Sequence, residues 1–193
     1  MIKQTVFSHG GNLYEYRLHS QKLVNIEPSL SKYLNDVFIN CPNIYFESGP
    51  RSSSLRFNVG VRTNAVYGHE ISLLTKHALN TNKNSQKSRH DKVEHFLLEH
   101  DIKTIATEIP LWMHANELAY FKELFKTSKP LTGHVDVLRI EDNKVWIWDY
   151  KPNAYKEKYA TTQTLFYALM LSKRTGISLK EISINYILRN MIL

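Results

Sequence analysis

The sequence holds a single cysteine, Cys41. A lone thiol excludes an internal disulfide, a Cys-based zinc site and a cysteine-ligated iron–sulfur cluster. No apolar run approaches the ~20 residues that cross a bilayer, and no signal peptide opens the chain, so no membrane partner and a cytoplasmic location are expected. No internal repeat or low-complexity linker divides the sequence. Acidic residues are outnumbered, 18 against 25 Lys and Arg, which gives a net charge of +7. A basic balance favours a polyanionic partner, most simply nucleic acid. The 193 residues, 42% of them hydrophobic, are enough for one domain with a sizeable core (1–193), in which residues 1–60 elaborate a core over 61–193.

The most informative stretch runs from Gly133-His134-Val135-Asp136 to Trp148-Asp149-Tyr150-Lys151. Val135 to Ile140 and Val145 to Lys151 read as two strands around a turn at Glu141-Asp142-Asn143-Lys144, since Asp and Asn tolerate left-handed backbone angles. With Glu141 opposite Lys144, Ile140 meets Val145, Leu138 meets Ile147, Asp136 meets Asp149 and His134 meets Lys151. Strict alternation then gathers His134, Asp136, Asp149 and Lys151 at one end of one face, with Val135, Val137, Trp146, Trp148 and Tyr150 on the other. Two facing carboxylates repel and are costly to bury unless a cation joins them. Their oxygen ligands suit Mg²⁺ or Mn²⁺, and Lys151 reaches the same place to orient an attacking water or hold a phosphate. An Asp–Lys pair at a strand end beside an unrelated aspartate is the plainer alternative.

Around this ribbon the periodicity predicts further elements. Gly10-Gly11 sits in a small hairpin, and Leu30, Leu34, Val37 and Phe38 mark a helix after Glu27-Pro28-Ser29. Arg51-Ser52-Ser53-Ser54 and Arg56 are able to touch phosphates, although a solvated loop is the plainer reading. Helices are expected over Asn64 to Leu79, over Ser88 to His100 with Ser88 and Asp91 as capping pair, and over Asn116 to Lys126. A strand from Ile102 to Trp112 carries Glu108. A helix from about Lys158 to Lys173 places Gln163 and Tyr167 on one face, and Ile182 to Leu188 alternates as a last strand.

Asp136, then Asp149-Tyr150-Lys151, resembles the signature of the PD-(D/E)XK nuclease superfamily. With Gly133-His134-Val135-Asp136 and Gln163-Thr164-Leu165-Phe166-Tyr167 the chain is similar to its RecB-like branch, which includes the CRISPR-associated exonucleases, though without their iron–sulfur cysteines. The resemblance spans about residues 60 to 189. It implies an α/β fold with a restriction-endonuclease-like core: helix, three strands, helix, strand, a central mixed sheet flanked by helices. It also implies a metal site at Asp136, Asp149 and the Tyr150 carbonyl, completed by a histidine from a preceding helix. His69 is the positional match, with Glu70 and then His77 as alternatives. Glu108 would contact the metal or brace Lys151, and Gln163 would hold the site or the DNA. Tyr155, Lys156, Lys158 and Tyr159, with Tyr167 and His134, are expected DNA contacts, because cations interleaved with tyrosines suit a strand's backbone and bases.

The function expected is therefore a Mg- or Mn-dependent deoxyribonuclease acting on single strands or DNA ends, with self-association into a homo-oligomer left open. A non-catalytic binding module of the same fold and a junction-resolving endonuclease are the alternatives.

Overall fold

The computed structural model describes residues 1–61, 64, 66, 68–81, 86–151 and 157–188. In chain order the elements are β1 (Ile2–His9), β2 (Asn12–His19), α1 (Pro28–Asn40), α2 (Glu70–Thr81), α3 (Arg89–His100), β3 (Thr104–Met113), α4 (Phe121–Phe125), β4 (Leu131–Glu141), β5 (Lys144–Lys151), α5 (Ala160–Thr175) and β6 (Ile182–Leu188). The strands form one six-stranded sheet in sequence order. β1 to β5 are antiparallel neighbours, and β6 lies parallel to β5 because α5 carries the chain back between them. The expected order of helix, three strands, helix and strand is the order observed, in a mixed sheet flanked by helices. The N-terminal hairpin adds two strands to this sheet.

Helices cover both faces. α1 and α5 bring Leu30, Leu34, Phe166, Met170 and Leu171 onto Leu138, Val145 and Ile147. α2 and α3 bring Ile71, Val93 and Leu97 onto Val137, Trp148, Tyr150 and Ile187. Each such side chain, removed from water, contributes about 1.5–3 kcal/mol, which fixes the helix rotations. Ser88 and Asp91 form the expected capping box at the start of α3.

The central ribbon follows the turn chemistry. Asp142 and Asn143 both have positive φ, 50° and 57°, and the register is Glu141 to Lys144, Ile140 to Val145 and Leu138 to Ile147, as the spacing predicts. The ladder stops at Val137–Trp148, so the expected Asp136–Asp149 and His134–Lys151 pairings do not continue it. His134 instead pairs along β3, with Pro110. Strict alternation also fails: Val135 and Leu138, three apart, both lie in the larger core, as do Ile109 and Ala106 opposite them. The slip falls where Glu108 takes a left-handed φ of 53°. Such a kink re-aims side chains at the end of a ladder, and it turns Asp136 to accept a hydrogen bond from the Tyr150 amide at 2.7 Å.

The helix expected over Asn116 to Lys126 is a short 3-10 turn, Ala115–Glu117, followed by the brief α4. Tyr120 and Lys126 adopt left-handed backbone at its two ends and cut the helix to five residues. The helix predicted from Asn64 begins at Glu70 in the described chain.

At the turn end of the ribbon, Arg139 is fully buried and bonded twice to Asp101, at 2.7 and 3.3 Å. It also reaches Glu141 at 3.0 Å and Glu70 at 3.2 Å, while Lys103 bridges the same two glutamates at 2.8 Å each. Burial opposes ionisation of Asp101, yet bonds from Arg139 and Thr104 hold its carboxyl below the usual range. This network ties the starts of α2 and β3 to β4. Asp101→Ala leaves the buried Arg139 Nε without its acceptor, although Glu141 and Glu70 still pair with the guanidinium, and should cost about 1–3 kcal/mol in urea unfolding. Glu70→Ala, at a side chain 54% exposed, should cost less than about 1 kcal/mol. Equal losses in the two variants would remove Asp101 from this role.

Candidate active site

The open end of the ribbon gathers acidic groups. Asp136 lies on β4, Asp149 on β5, Glu108 at the kink in β3, and Glu94 on α3. Glu94, Glu108 and Asp136 each place an oxygen within 4.8 Å of the others. Glu94 is fully buried, and among the described residues neither of its carboxylate oxygens has a hydrogen-bond partner; Glu108 Oε2 likewise has none there. Buried carboxylate oxygens without partners are costly, and a divalent cation is the plain way to satisfy several at once. The donor set is all oxygen, which fits a hard cation and is unlike a thiolate or imidazole site.

The electrostatics agree. Burial, with Asp136 as the next contributor, pushes Glu108 up to about 8. Burial pushes Asp136 up to about 6, against the pull of Lys151 and of the Tyr150 amide. Burial and then Asp136 push Asp149 up to about 7. Glu94 is raised well above the carboxylate range by burial and then by Glu108 and Asp136. Lys151 is buried too, which favours its neutral form, but Asp149 and Asp136 outweigh that and raise it.

A polar chain behind the carboxylates fixes Lys151. Its Nζ lies 2.7 Å from Asp149 Oδ2 and donates to Gln163 Oε1 at 2.9 Å. Gln163 Nε2 in turn donates to Asp149 Oδ1 at 3.2 Å and to the Tyr167 hydroxyl at 2.8 Å. The spacing of Gln163 and Tyr167 on α5 is what lets them meet. Tyr167 is buried, and its ring occupies the space above Gly133: a Cβ at Gly133 would overlap Tyr167 Cε1. The Gly133-x-x-Asp136 and Gln163-x-x-x-Tyr167 motifs are thus in contact, and the glycine is needed for room.

The expected site residues divide into three groups. Asp136, Asp149, Lys151, Gln163, Tyr167, Glu108 and His134 line one cavity of about 230 Å³. Lys158, Tyr159 and Glu157 line an adjoining one, while Tyr155 and Lys156 fall outside the described residues. His69 is not brought to the carboxylates. Its Nδ1 accepts from the Ile71 amide at the start of α2, its Nε2 is 3.7 Å from Glu141, and its ring packs on Trp148. Glu141 is five residues along β4 from Asp136, roughly 17 Å at the strand rise, so α2 serves the other end of the ribbon. Glu70 belongs to the Arg139 network there, and His77 packs on Phe96.

His90 and Glu94 of α3 stand where a helix-borne ligand was expected. The His90 Nε2–H donates to the Tyr150 carbonyl at 3.0 Å, so that carbonyl already carries a partner, and lies 3.9 Å from Asp136 Oδ2. Burial lowers the pKa of His90. The sequence does carry the signal: Glu94 falls among the buried positions Val93, Leu97 and Leu98 of α3, and a carboxylate on a buried stripe is anomalous. Glu108 acts with Glu94 and Asp136, while Gln163 and Asp149 hold Lys151.

His134 is buried and faces the N-terminal hairpin. Its Nε2 lies 2.8 Å from His9 Nδ1, and His9 Nε2 contacts Asn43 Oδ1 at 2.8 Å. The ring stacks on Tyr14 at 3.7 Å, and the Arg51 guanidinium sits over the other ring of that pair at 5.3 Å. Tyr14, Arg51 and Ser53 thereby become walls of the carboxylate cavity. No periodicity marks Tyr14 for this position.

A group whose pKa is raised on folding contributes stability that is present below its unfolded pKa and lost as pH rises through the folded one. For Glu108 that window runs from the ordinary carboxylate range to about 8. Glu108→Gln should therefore melt close to the native protein at pH 5 and, without divalent cations, above it at pH 9. At this chain length each kcal/mol is about 2–4 °C. Mg²⁺ or Mn²⁺ should raise the native melting temperature at pH 8 and raise that of Glu94→Gln less. A cation-independent native melt would remove the metal site.

Residues 66–188 match the family model of the PD-(D/E)XK nuclease superfamily. No curated protein matches the chain. The match spans well over half of the sequence and takes in Glu94, Glu108, Asp136, Asp149, Lys151 and Gln163, so this chain belongs to the PD-(D/E)XK nuclease superfamily.

Proposed function

We propose that the protein is a Mg²⁺- or Mn²⁺-dependent DNA nuclease of the RecB-like kind, hydrolysing phosphodiester bonds at ends or in single strands. The observation that carries this reading is the set of carboxylates Glu94, Asp136 and Asp149, all buried, and the partly buried Glu108, with Lys151 locked beside them. The RecB-like assignment is supported by the contact between Gly133 and Tyr167 and by the bonds of Gln163 to Asp149 and Lys151. A walled cavity of about 230 Å³ admits a phosphodiester from one strand more readily than a paired duplex.

Glu94, Glu108 and Asp136 would hold a divalent cation, with Asp149 beside them. Such a cation, when bound, supplies charge neutralisation at the phosphate and acidifies the attacking water. The chain's own groups do the rest. Asp136 is oriented by the Tyr150 amide. Lys151, kept protonated by the aspartates, donates to the water or to a phosphate oxygen as negative charge builds in the transition state. Gln163 holds the Lys151 ammonium and the Asp149 carboxylate at fixed spacing, so neither has to reorganise during the reaction.

Lys151→Ala and Asp149→Ala should each lower cleavage by about 10²–10⁴ with the circular dichroism spectrum retained. The assay uses end-labelled single-stranded and duplex DNA, linear and circular, with Mg²⁺ or Mn²⁺. Native-like turnover in both variants would sink the assignment, and tight binding without cleavage of any substrate would favour a non-catalytic module.

A further inference from the structure

We infer that Ser53 and Arg56 of the N-terminal segment, together with Lys158 and the start of α5, form a phosphate subsite that takes the nucleic-acid backbone beside the carboxylates. This rests on the nuclease reading for its ligand, and it draws on residues before the family-matching segment of 66–188.

A second cavity, of about 320 Å³, has Ser53, Arg56, Lys158 and Tyr159 in its lining. It shares Ser53, Lys151 and Gln163 with the carboxylate cavity, so the two adjoin. Arg56 is exposed and uses only Nη1, on the carbonyls of Ser53 and Leu55 at 3.1 and 2.9 Å, which leaves the rest of its guanidinium fork open. Neither Arg56 nor Lys158 has a carboxylate partner among the described residues. α5 starts at Tyr159 with no side-chain cap and no acid in its first turn, so its positive end adds to the same field. Glu157 is the carboxylate on this lining.

The segment is also anchored, unlike a solvated loop. Ser52 Oγ donates to the Thr132 carbonyl at 3.1 Å, and the Thr132 amide donates to the Pro50 carbonyl at 3.0 Å. At the other side Thr162 Oγ1 donates to the Phe57 carbonyl at 2.6 Å. β4 and α5, the elements that carry Asp136 and Gln163, therefore hold the segment at both ends. Arg56 and Ser53 are placed at a fixed offset from the carboxylates, as a backbone phosphate next to the reacting one requires. The Tyr159 ring borders the cavity and offers a face for a base.

The test is fluorescence anisotropy of labelled single strands with the full chain in the Lys151→Ala background, with Mg²⁺ present, across a range of NaCl. Arg56→Gln and Lys158→Gln should each weaken binding by about five- to tenfold and lower the salt slope by about one. Lys144→Gln, an exposed cation at the distant turn, should change neither. Equal losses on circular and linear strands identify an internal phosphodiester as the ligand; losses confined to 5′- or 3′-phosphorylated ends identify a terminal phosphate. Native affinity and slope in both variants overturn the subsite. Absence of cleavage by the native protein, with Arg56-dependent binding intact, overturns the enzyme assignment and leaves the subsite standing.

Discussion

Four carboxylates, Glu94, Glu108, Asp136 and Asp149, gather at one end of the ribbon, where Lys151 is the one lysine in an ion pair with them among the described residues, and the rest of the site is arranged around that imbalance. Each local irregularity serves it. The left-handed backbone at Glu108 is unusual for a non-glycine residue and costs of order 1 kcal/mol or more, yet it swings a third acid toward Asp136. The ribbon gives up its ladder beyond Val137–Trp148, which frees Asp136 to take the Tyr150 amide in its side chain. α3 commits an interior position to Glu94, where Leu or Val would pack at no electrostatic cost. Such concessions accumulate where function, not packing, sets the residue.

The parts of this arrangement that sequence made legible are those governed by local rules. Asp142-Asn143 fixed the turn, the turn fixed the register, and the register carried Asp136 and Asp149 to the same end. What escaped was set by tertiary contact. Alternation predicted Val135 on the face of Trp148, but the kink at Glu108 shifts the phase and returns Val135 to the larger core. His69 was attractive because it precedes the strands on a helix. The chain has two such helices, and α3 reaches the open end of the ribbon while α2 reaches the turn end. Periodicity alone does not say which helix docks where, although Glu94 on an apolar stripe was a signal in plain view.

The N-terminal hairpin was the least legible part, because its role depends on pairings over long sequence separations. β2 meets β3 at Arg17–Thr107 and Leu18–Ala106 only, so the hairpin tip is free to fold over the carboxylate end. There the bond between His9 and His134 and the stacking of Tyr14 on His134 make it a wall of the cavity. Burial, with His9 and then Arg51, holds His134 well below the ordinary imidazole range, so it stays neutral and packs as an aromatic surface. His134 lines the carboxylate cavity and joins the N-terminal strands to the family core.

The two ends of the ribbon carry acidic clusters whose partners differ. At the turn end, Asp101, Glu70 and Glu141 each have a cationic nitrogen of Arg139 or Lys103 within 3.3 Å. Charge is matched there, and the groups serve to hold helices to the sheet. At the open end Asp149 is the one acid in an ion pair with Lys151 among the described residues, and Glu94 and Glu108 keep oxygens without a hydrogen-bond partner among them. Acidic side chains gather at both ends, but at the open end the buried Arg17 guanidinium acts on Glu94 and Glu108 through its field, with no hydrogen bond to either among the described residues. A folded chain does not keep unmatched buried acids for stability, since protonating them or replacing them with apolar groups would serve better. The proposed metal site lies at this end of the ribbon, and the proposed phosphate subsite of Arg56 and Lys158 lies beside it, where a basic field draws in a polyanion.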